Sequence, residues 1–213
     1  MAYDLQEQEQ LDELKAWWAK YGNLILTAIT IVLLGFAAFN GWRWYQRNQA
    51  ADAAGVYAEL ERAMTAKEAE RVKTLSATLT DKYGDTAYAS MAALQAARWY
   101  VESGNLEAAR TQLRWVVDNA DQAEIAAIAR VRLAGVLLDE KNYDEALKVL
   151  DGAAPAVNAT AISDRRGDVL FAQNKIDEAR TAYREALEKA SAEHPLRPII
   201  QLKLDALPAT AAS

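Results

Sequence analysis

Few residues in this 213-residue chain are equipped for chemistry. The single histidine, His194, stands immediately before Pro195 at the end of a helical pattern. An imidazole there reads as a solvated residue beside the negative end of the helix dipole, not as a general base. There is no cysteine, which excludes disulfides, thiolate metal sites and cysteine nucleophiles. Asp139-Glu140 and Asp144-Glu145 fall at turns or in the first turns of helices, where carboxylates complement the positive end of the dipole. Asp164 and Asp168 are four apart and share a helix face, but two carboxylates without a third ligand make a weak metal site. Neither a phosphate-cradling GxxxxGKS/T loop nor a GxSxG elbow occurs. With no nucleophile beside a base, the sequence reads as a non-enzyme with no cofactor and no metal. Its function must lie in a surface.

Charge narrows the partners of that surface. Lys and Arg total 24 against 30 Asp and Glu, a net charge of −6. Four basic and five acidic residues fall in 1–47, which leaves −5 for residues 48–213. A mildly acidic domain is poorly suited to nucleic acid, whose affinity comes mainly from neutralised phosphates, or to lying flat on anionic lipid.

The elements that position this surface begin with Gly22–Gly41, GNLILTAITIVLLGFAAFNG, which holds no charged residue. Its unbroken apolar core, Leu24–Phe39, covers roughly 24 Å as a helix, short of the roughly 30 Å hydrocarbon layer. Aromatic collars make up the difference: Trp17, Trp18 and Tyr21 before it, Trp42, Trp44 and Tyr45 after it. Tyr21 to Trp44 spans roughly 36 Å, which places rings at both headgroup layers. A cleavable signal needs a basic n-region. Residues 1–21 instead carry Asp4, Glu7, Glu9, Asp12 and Glu13 against Lys15 and Lys20. The stretch therefore reads as an uncleaved anchor. Two basic residues precede the span and Arg43 and Arg47 follow it, so the positive-inside rule leaves orientation open. Gly35 and Gly41 are not at small-xxx-small spacing and give no dimer signal.

In 1–21, Leu11, Leu14, Trp18 and Tyr21 recur on one helical face, a membrane-surface lead-in or a docking helix. Arg43–Ala54 continues the anchor helix up to Gly55. Val56–Met64 and Glu68–Lys82 then read as a helix pair. Tyr83-Gly84-Asp85-Thr86 reads as a stop and a new start, with Gly as the C-terminal cap and Asp or Thr as the next N-cap.

Beyond residue 100 the chain repeats itself. SGNLEAARTQL (103–113), EKNYDEALKVL (140–150) and QNKIDEARTAY (173–183) share a polar turn, an apolar residue, an acidic residue and an alanine. The spacing is 37 residues from Ala109 to Ala146 and 33 from Ala146 to Ala179, the period of a helical solenoid. This resembles the tetratricopeptide repeat family. Its small and bulky packing positions fall on Ala97, Ala109, Leu113 and Val116, on Ala134, Ala146, Leu150 and Ala153, and on Gly167, Ala179, Tyr183 and Ala186. Antiparallel helices approach closely only where the crossing residues are small. The family's early helix-A Trp and late Pro are missing. Pro195 and Pro198 end the last pair, and Ile199, Leu202 and Leu207 suit a capping helix, which an open solenoid end requires.

The resemblance implies an all-α protein: a single N-terminal transmembrane helix followed by a tetratricopeptide-repeat-like α-solenoid. The divisions are an amphipathic tail over 1–21, an anchor over 22–45, a helical domain over 46–207 with three to four pairs and a cap, and a frayed tail over 208–213. It also implies a concave groove lined by the first helix of each pair. Its positions fall on Met91, Leu94, Arg98 and Val101, on Ile128, Val131, Gly135 and Leu138, and on Asp164, Asp168 and Phe171. The lining is largely apolar and suits an extended or helical apolar segment, or else belongs to the packing between repeats. The basic clamp with which some family members hold a peptide carboxylate is unmatched, since its positions carry Leu94, Arg98 and Asp164.

The whole layout is similar to the YfgM family, the ancillary subunit of the bacterial SecYEG translocon. It shares an acidic tail ending in Trp17-Trp18, an anchor closing in GWRWY (41–45), the Tyr-Gly start near residue 83, and RRGDVLFAQNKIDEARTAYREAL (165–187). That resemblance implies an inner-membrane protein with a cytoplasmic N-terminus and a periplasmic repeat domain. It implies association with SecYEG and with PpiD, a membrane-anchored periplasmic chaperone. Two rivals remain open: a holdase that takes unfolded clients directly in the groove, and a cytoplasmic-facing adaptor.

Overall fold

The computed structural model describes residues 2–152 and 155–208, with the backbone alone over 2–9. The described residues form helices α1 (Ala2–Thr65), α2 (Ala69–Lys82), α3 (Ala87–Glu102), α4 (Leu106–Asn119), α5 (Ala123–Asp139), α6 (Tyr143–Leu150), α7 (Ala156–Ala172), α8 (Ile176–Lys189) and α9 (Arg197–Asp205), with no strand. Ala153 and residues 209–213 of the tail expected over 208–213 lie outside the described residues. The chain divides into two compact units, residues 1–49 and 50–213.

The first unit is helix throughout its described length. Its apolar stretch is long enough to cross a membrane and only 6% buried, which separates it from the core helix of a soluble protein. Leu24, Val32, Leu34 and Phe36 all point outward. The rings of Trp17 and Tyr21 pack tilted to each other with centroids 5.7 Å apart at one end, and those of Trp42 and Tyr45 at 6.0 Å at the other. The hydroxyls of Thr27 and Thr30 donate to the carbonyls of Asn23 and Leu26, so neither is left unpaired in hydrocarbon. The protein is membrane-anchored through this helix.

In the second unit, four turns of one design generate the pairs. Lys67, Gly104, Lys141 and Asn174 take φ of 60, 78, 62 and 61°. In each turn the left-handed residue donates its N–H to the carbonyl three back. The next residue donates to the carbonyl five back, as Asn105 does to Tyr100 at 2.8 Å and Lys175 to Leu170 at 2.9 Å. These bonds satisfy the last carbonyls of the helix and reverse the chain. They pair the end of α1 with α2, α3 with α4, α5 with α6, and α7 with α8. At the crossings Ala97, Ala109, Ala134, Ala146, Gly167 and Ala179 are all buried, with Leu113, Leu150 and Tyr183 filling the grooves beside them.

Local expectations are corrected at three places. The helix does not stop near Gly55. One glycine costs about 1 kcal/mol in a helix, too little to break a run flanked by alanines and bearing no left-handed residue. Val56–Met64 is thus the end of α1. Gly84 is not a left-handed cap: Tyr83 closes α2, and the glycine is required because a Cβ would stand 2.9 Å from the Thr80 carbonyl oxygen. Thr86 is the next N-cap, and its Oγ1 donates to the Tyr83 carbonyl at 2.7 Å. In α9 the buried residue is Ile200, packed with Leu196, Leu204 and Leu207 against Tyr183 and Ala186, while Ile199 and Leu202 face solvent.

Candidate interaction surface

The four turns set a common register for the first helix of each pair. Ten residues before the left-handed residue stand Leu94, Val131 and Asp164, and six before it stand Arg98, Gly135 and Asp168. One register position nevertheless meets two environments. Leu94 and Val131 are half-buried against the main hydrophobic core, as is Leu138. Asp164 is 9% exposed and receives Lys203 Nζ from α9 at 2.8 and 3.0 Å. Met91, Val101 and Phe171 are exposed, and Ile128 is half-buried.

The structure gathers some of these residues and separates others. Arg98, Val101 and Gly135 line a cavity of about 430 Å³ between α3, α5 and α7, with Glu102, Arg132, Asp139 and Arg165. Met91 and Leu94 line a second cavity of about 250 Å³ with Ile125. Ile128, Val131, Leu138, Asp164 and Phe171 line neither.

Asp164 and Asp168 do share a face, and a lysine occupies it. Lys203 Nζ lies 2.7 Å from Asp168 Oδ1 as well as against Asp164. Asp168 also accepts from the Tyr183 hydroxyl at 2.9 Å and from Arg165 at 3.2 Å. Burial raises the Asp164 carboxyl above its ordinary range, and the Lys203 hydrogen bond only partly offsets this. Burial also raises the Tyr183 phenol, with Asp168 adding to the effect. The cluster is a structural ion-pair network that fixes α9. Among the described residues, no group of three or more His, Cys, Asp or Glu is placed to hold a metal.

Comparison with known proteins places this architecture. Residues 15–209 match the tetratricopeptide repeat-like domain family. The chain is 32% identical over 208 residues to a Neisseria gonorrhoeae protein named ancillary SecYEG translocon subunit, covering 97% of this chain and 100% of that one. It is 28% identical over 204 residues to the Escherichia coli protein of that name, covering 94% and 96%. The Haemophilus influenzae protein of that name is 26% identical over 189 residues, covering 84% and 91%. The chain belongs to the ancillary SecYEG translocon subunit family.

For a member of this family with tetratricopeptide-like repeats, interaction surface matters more than reactive groups. Sequence reasoning missed two residues of that surface. Arg132 and Arg165 each stand nine residues before their left-handed residues, Lys141 and Asn174, one residue beyond Val131 and Asp164. Their recurrence at 33 residues was the available signal. It also missed Lys203, whose role rests on α9 folding back, which no local pattern reveals.

Proposed function

We propose that this protein is a membrane-tethered interaction subunit of the SecYEG translocon, with a cytoplasmic N-terminus and a periplasmic repeat domain that engages a PpiD-like chaperone and so assists secreted or envelope proteins. The observation that carries the reading is near-full-length similarity to relatives named ancillary SecYEG translocon subunits. A membrane-spanning helix joined to a helical repeat domain supports it. The anchor confines the repeats to the membrane surface, which raises their effective concentration toward membrane partners.

Purification of the tagged full chain from bacterial membranes in mild detergent tests this. SecYEG and the chaperone should co-purify, and deletion of residues 50–208 should lose the chaperone. Recovery of neither overturns the proposal. For orientation, a reporter fused after Ser213 should be active only in the periplasm; a reporter active only in the cytoplasm would make this a cytoplasmic-facing adaptor.

Exposed Met91 and Phe171, 47% and 48% accessible, favour direct client holding as a second reading. Met91→Glu with Phe171→Glu should then abolish suppression of model-substrate aggregation by the full chain in nanodiscs. Unchanged suppression counts against it. Leu94 and Leu138 are unsuitable for this test because both pack on the core.

A further inference from the structure

The larger cavity draws one arginine from each of three successive first helices: Arg98 from α3, Arg132 from α5 and Arg165 from α7. Their states differ. Arg98 is paired with Glu102 on its own helix at 2.8 Å. Arg165 donates to Asp168 at 3.2 Å. Its guanidinium carbon lies 3.6 Å from where a Cβ on Gly135 would stand, so the group rests against the bare backbone of α5. Arg132 is exposed, and among the described residues it makes no hydrogen bond or ion pair.

Charge selects the occupant. The cavity's carboxylates are Glu102 and Asp139, and Glu102 is already engaged by Arg98. The lining holds three cations and two anions; Glu102 engages Arg98, and Asp168, which is not part of the lining, engages Arg165, so Arg132 is the lining arginine without a side-chain partner among the described residues. A carboxylate entering here meets Arg132 without breaking an existing pair. The remaining surface is apolar: Ala97, Leu113 and Val136 form a buried floor and Val101 an exposed edge. The surrounding acidic domain disfavours a polyanion, so the fit is to few charges and flanking apolar side chains.

We infer that the α3–α5–α7 cleft docks an apolar segment of a protein partner carrying one or two carboxylates, with Arg132 as the primary contact and Arg98 and Arg165 beside it. The inference rests on the proposed role as an interaction subunit and names the chemistry of its partner. The segment docks through internal acidic side chains and apolar neighbours, so it needs no free C-terminus.

The test uses the full chain in nanodiscs of neutral lipid and a short fluorescein-labelled peptide, blocked at both ends, with two glutamates among leucines and valines. Its twin carries glutamine in place of glutamate. By fluorescence polarisation the glutamate peptide should bind about tenfold more tightly, the scale of one charge-assisted hydrogen bond. Arg132→Gln should erase that preference, and Arg132→Glu should reverse it. Arg184→Gln, on the exposed face of α8, should leave it intact. Arg132 is unpaired, so these variants should keep the wild-type unfolding midpoint. Equal binding of the twins, or a preference that survives Arg132→Gln, overturns the inference. The two readings fail separately: SecYEG co-purifying without peptide preference sinks the cleft alone, and peptide preference without SecYEG sinks the translocon role alone.

Discussion

Gly167→Ala tests whether the last helix pair is wedged apart by its own aromatic. A Cβ on Gly167 would stand 2.4 Å from Tyr183 Cε1 and 2.5 Å from Cδ1, against ordinary contacts of 3.4–4 Å. The ring would have to retreat by about 1 Å, yet Tyr183 is 2% exposed and its hydroxyl is held by Asp168 at 2.9 Å. Alanine favours the helix by about 1 kcal/mol over glycine. Against that, overpacking costs about 1–3 kcal/mol and a broken hydrogen bond about 1 kcal/mol more. Net destabilisation should be about 2 kcal/mol, or about 4–8 °C in Tm for a domain of this size. The other two repeats supply the rescue, because the same register positions carry Ala97 with Leu113 and Ala134 with Leu150. Gly167→Ala with Tyr183→Leu recreates that pair and should lose at least about 1 kcal/mol less than the two single changes summed. Urea unfolding of the full chain in detergent, followed by far-UV circular dichroism, measures all four proteins. A Gly167→Ala variant as stable as wild type, or strictly additive changes, would refute the wedge.

Lys141 holds φ 62° where Gly104 holds 78°, so Lys141→Gly should stabilise by about 0.5–1 kcal/mol and Gly104→Ala should destabilise by about 1 kcal/mol, both read from urea midpoints. Asp164 titrates above its ordinary value of 3.8 in the folded protein, so the folded state holds the extra proton and stability falls as pH rises from 3.8 through the raised value. Asp164→Asn lacks that fall. The stability of wild type minus variant should therefore decline across this window and level off above it; a difference that rises with pH would contradict the burial cause.

The repeat architecture was legible because the packing rules act locally. Small residues at 97, 134 and 167, alanines at 109, 146 and 179, and a polar turn between them are enough to specify antiparallel pairs. Less legible were the places where one local signal competes with many. Gly55 looks like a stop, but alanine-rich helix surrounds it and α1 runs on to Thr65. At α9 the apolar residues admit two faces, and docking against Tyr183 and Ala186 selects Ile200 over Leu202, which is left 70% exposed.

The surface was harder to read because a repeat fixes register without fixing environment. Leu94, Val131 and Asp164 occupy one position, yet each first helix has a different neighbour. The first two residues close gaps in the main core, while the third meets Lys203 from α9. Reading charge at that position alone gives leucine, valine and aspartate, hence no basic groove. One residue further on the sequence gives Gln95, Arg132 and Arg165. A helix turns about 100° per residue, so this single step moves the side chain to another side of the helix. There Gln95 donates to the Tyr57 hydroxyl at 3.0 Å, whereas the two arginines reach the cleft between α3, α5 and α7. In a degenerate solenoid, ligand chemistry is therefore set by the residues beside the packing positions, where the fold imposes no size and each repeat is free to differ.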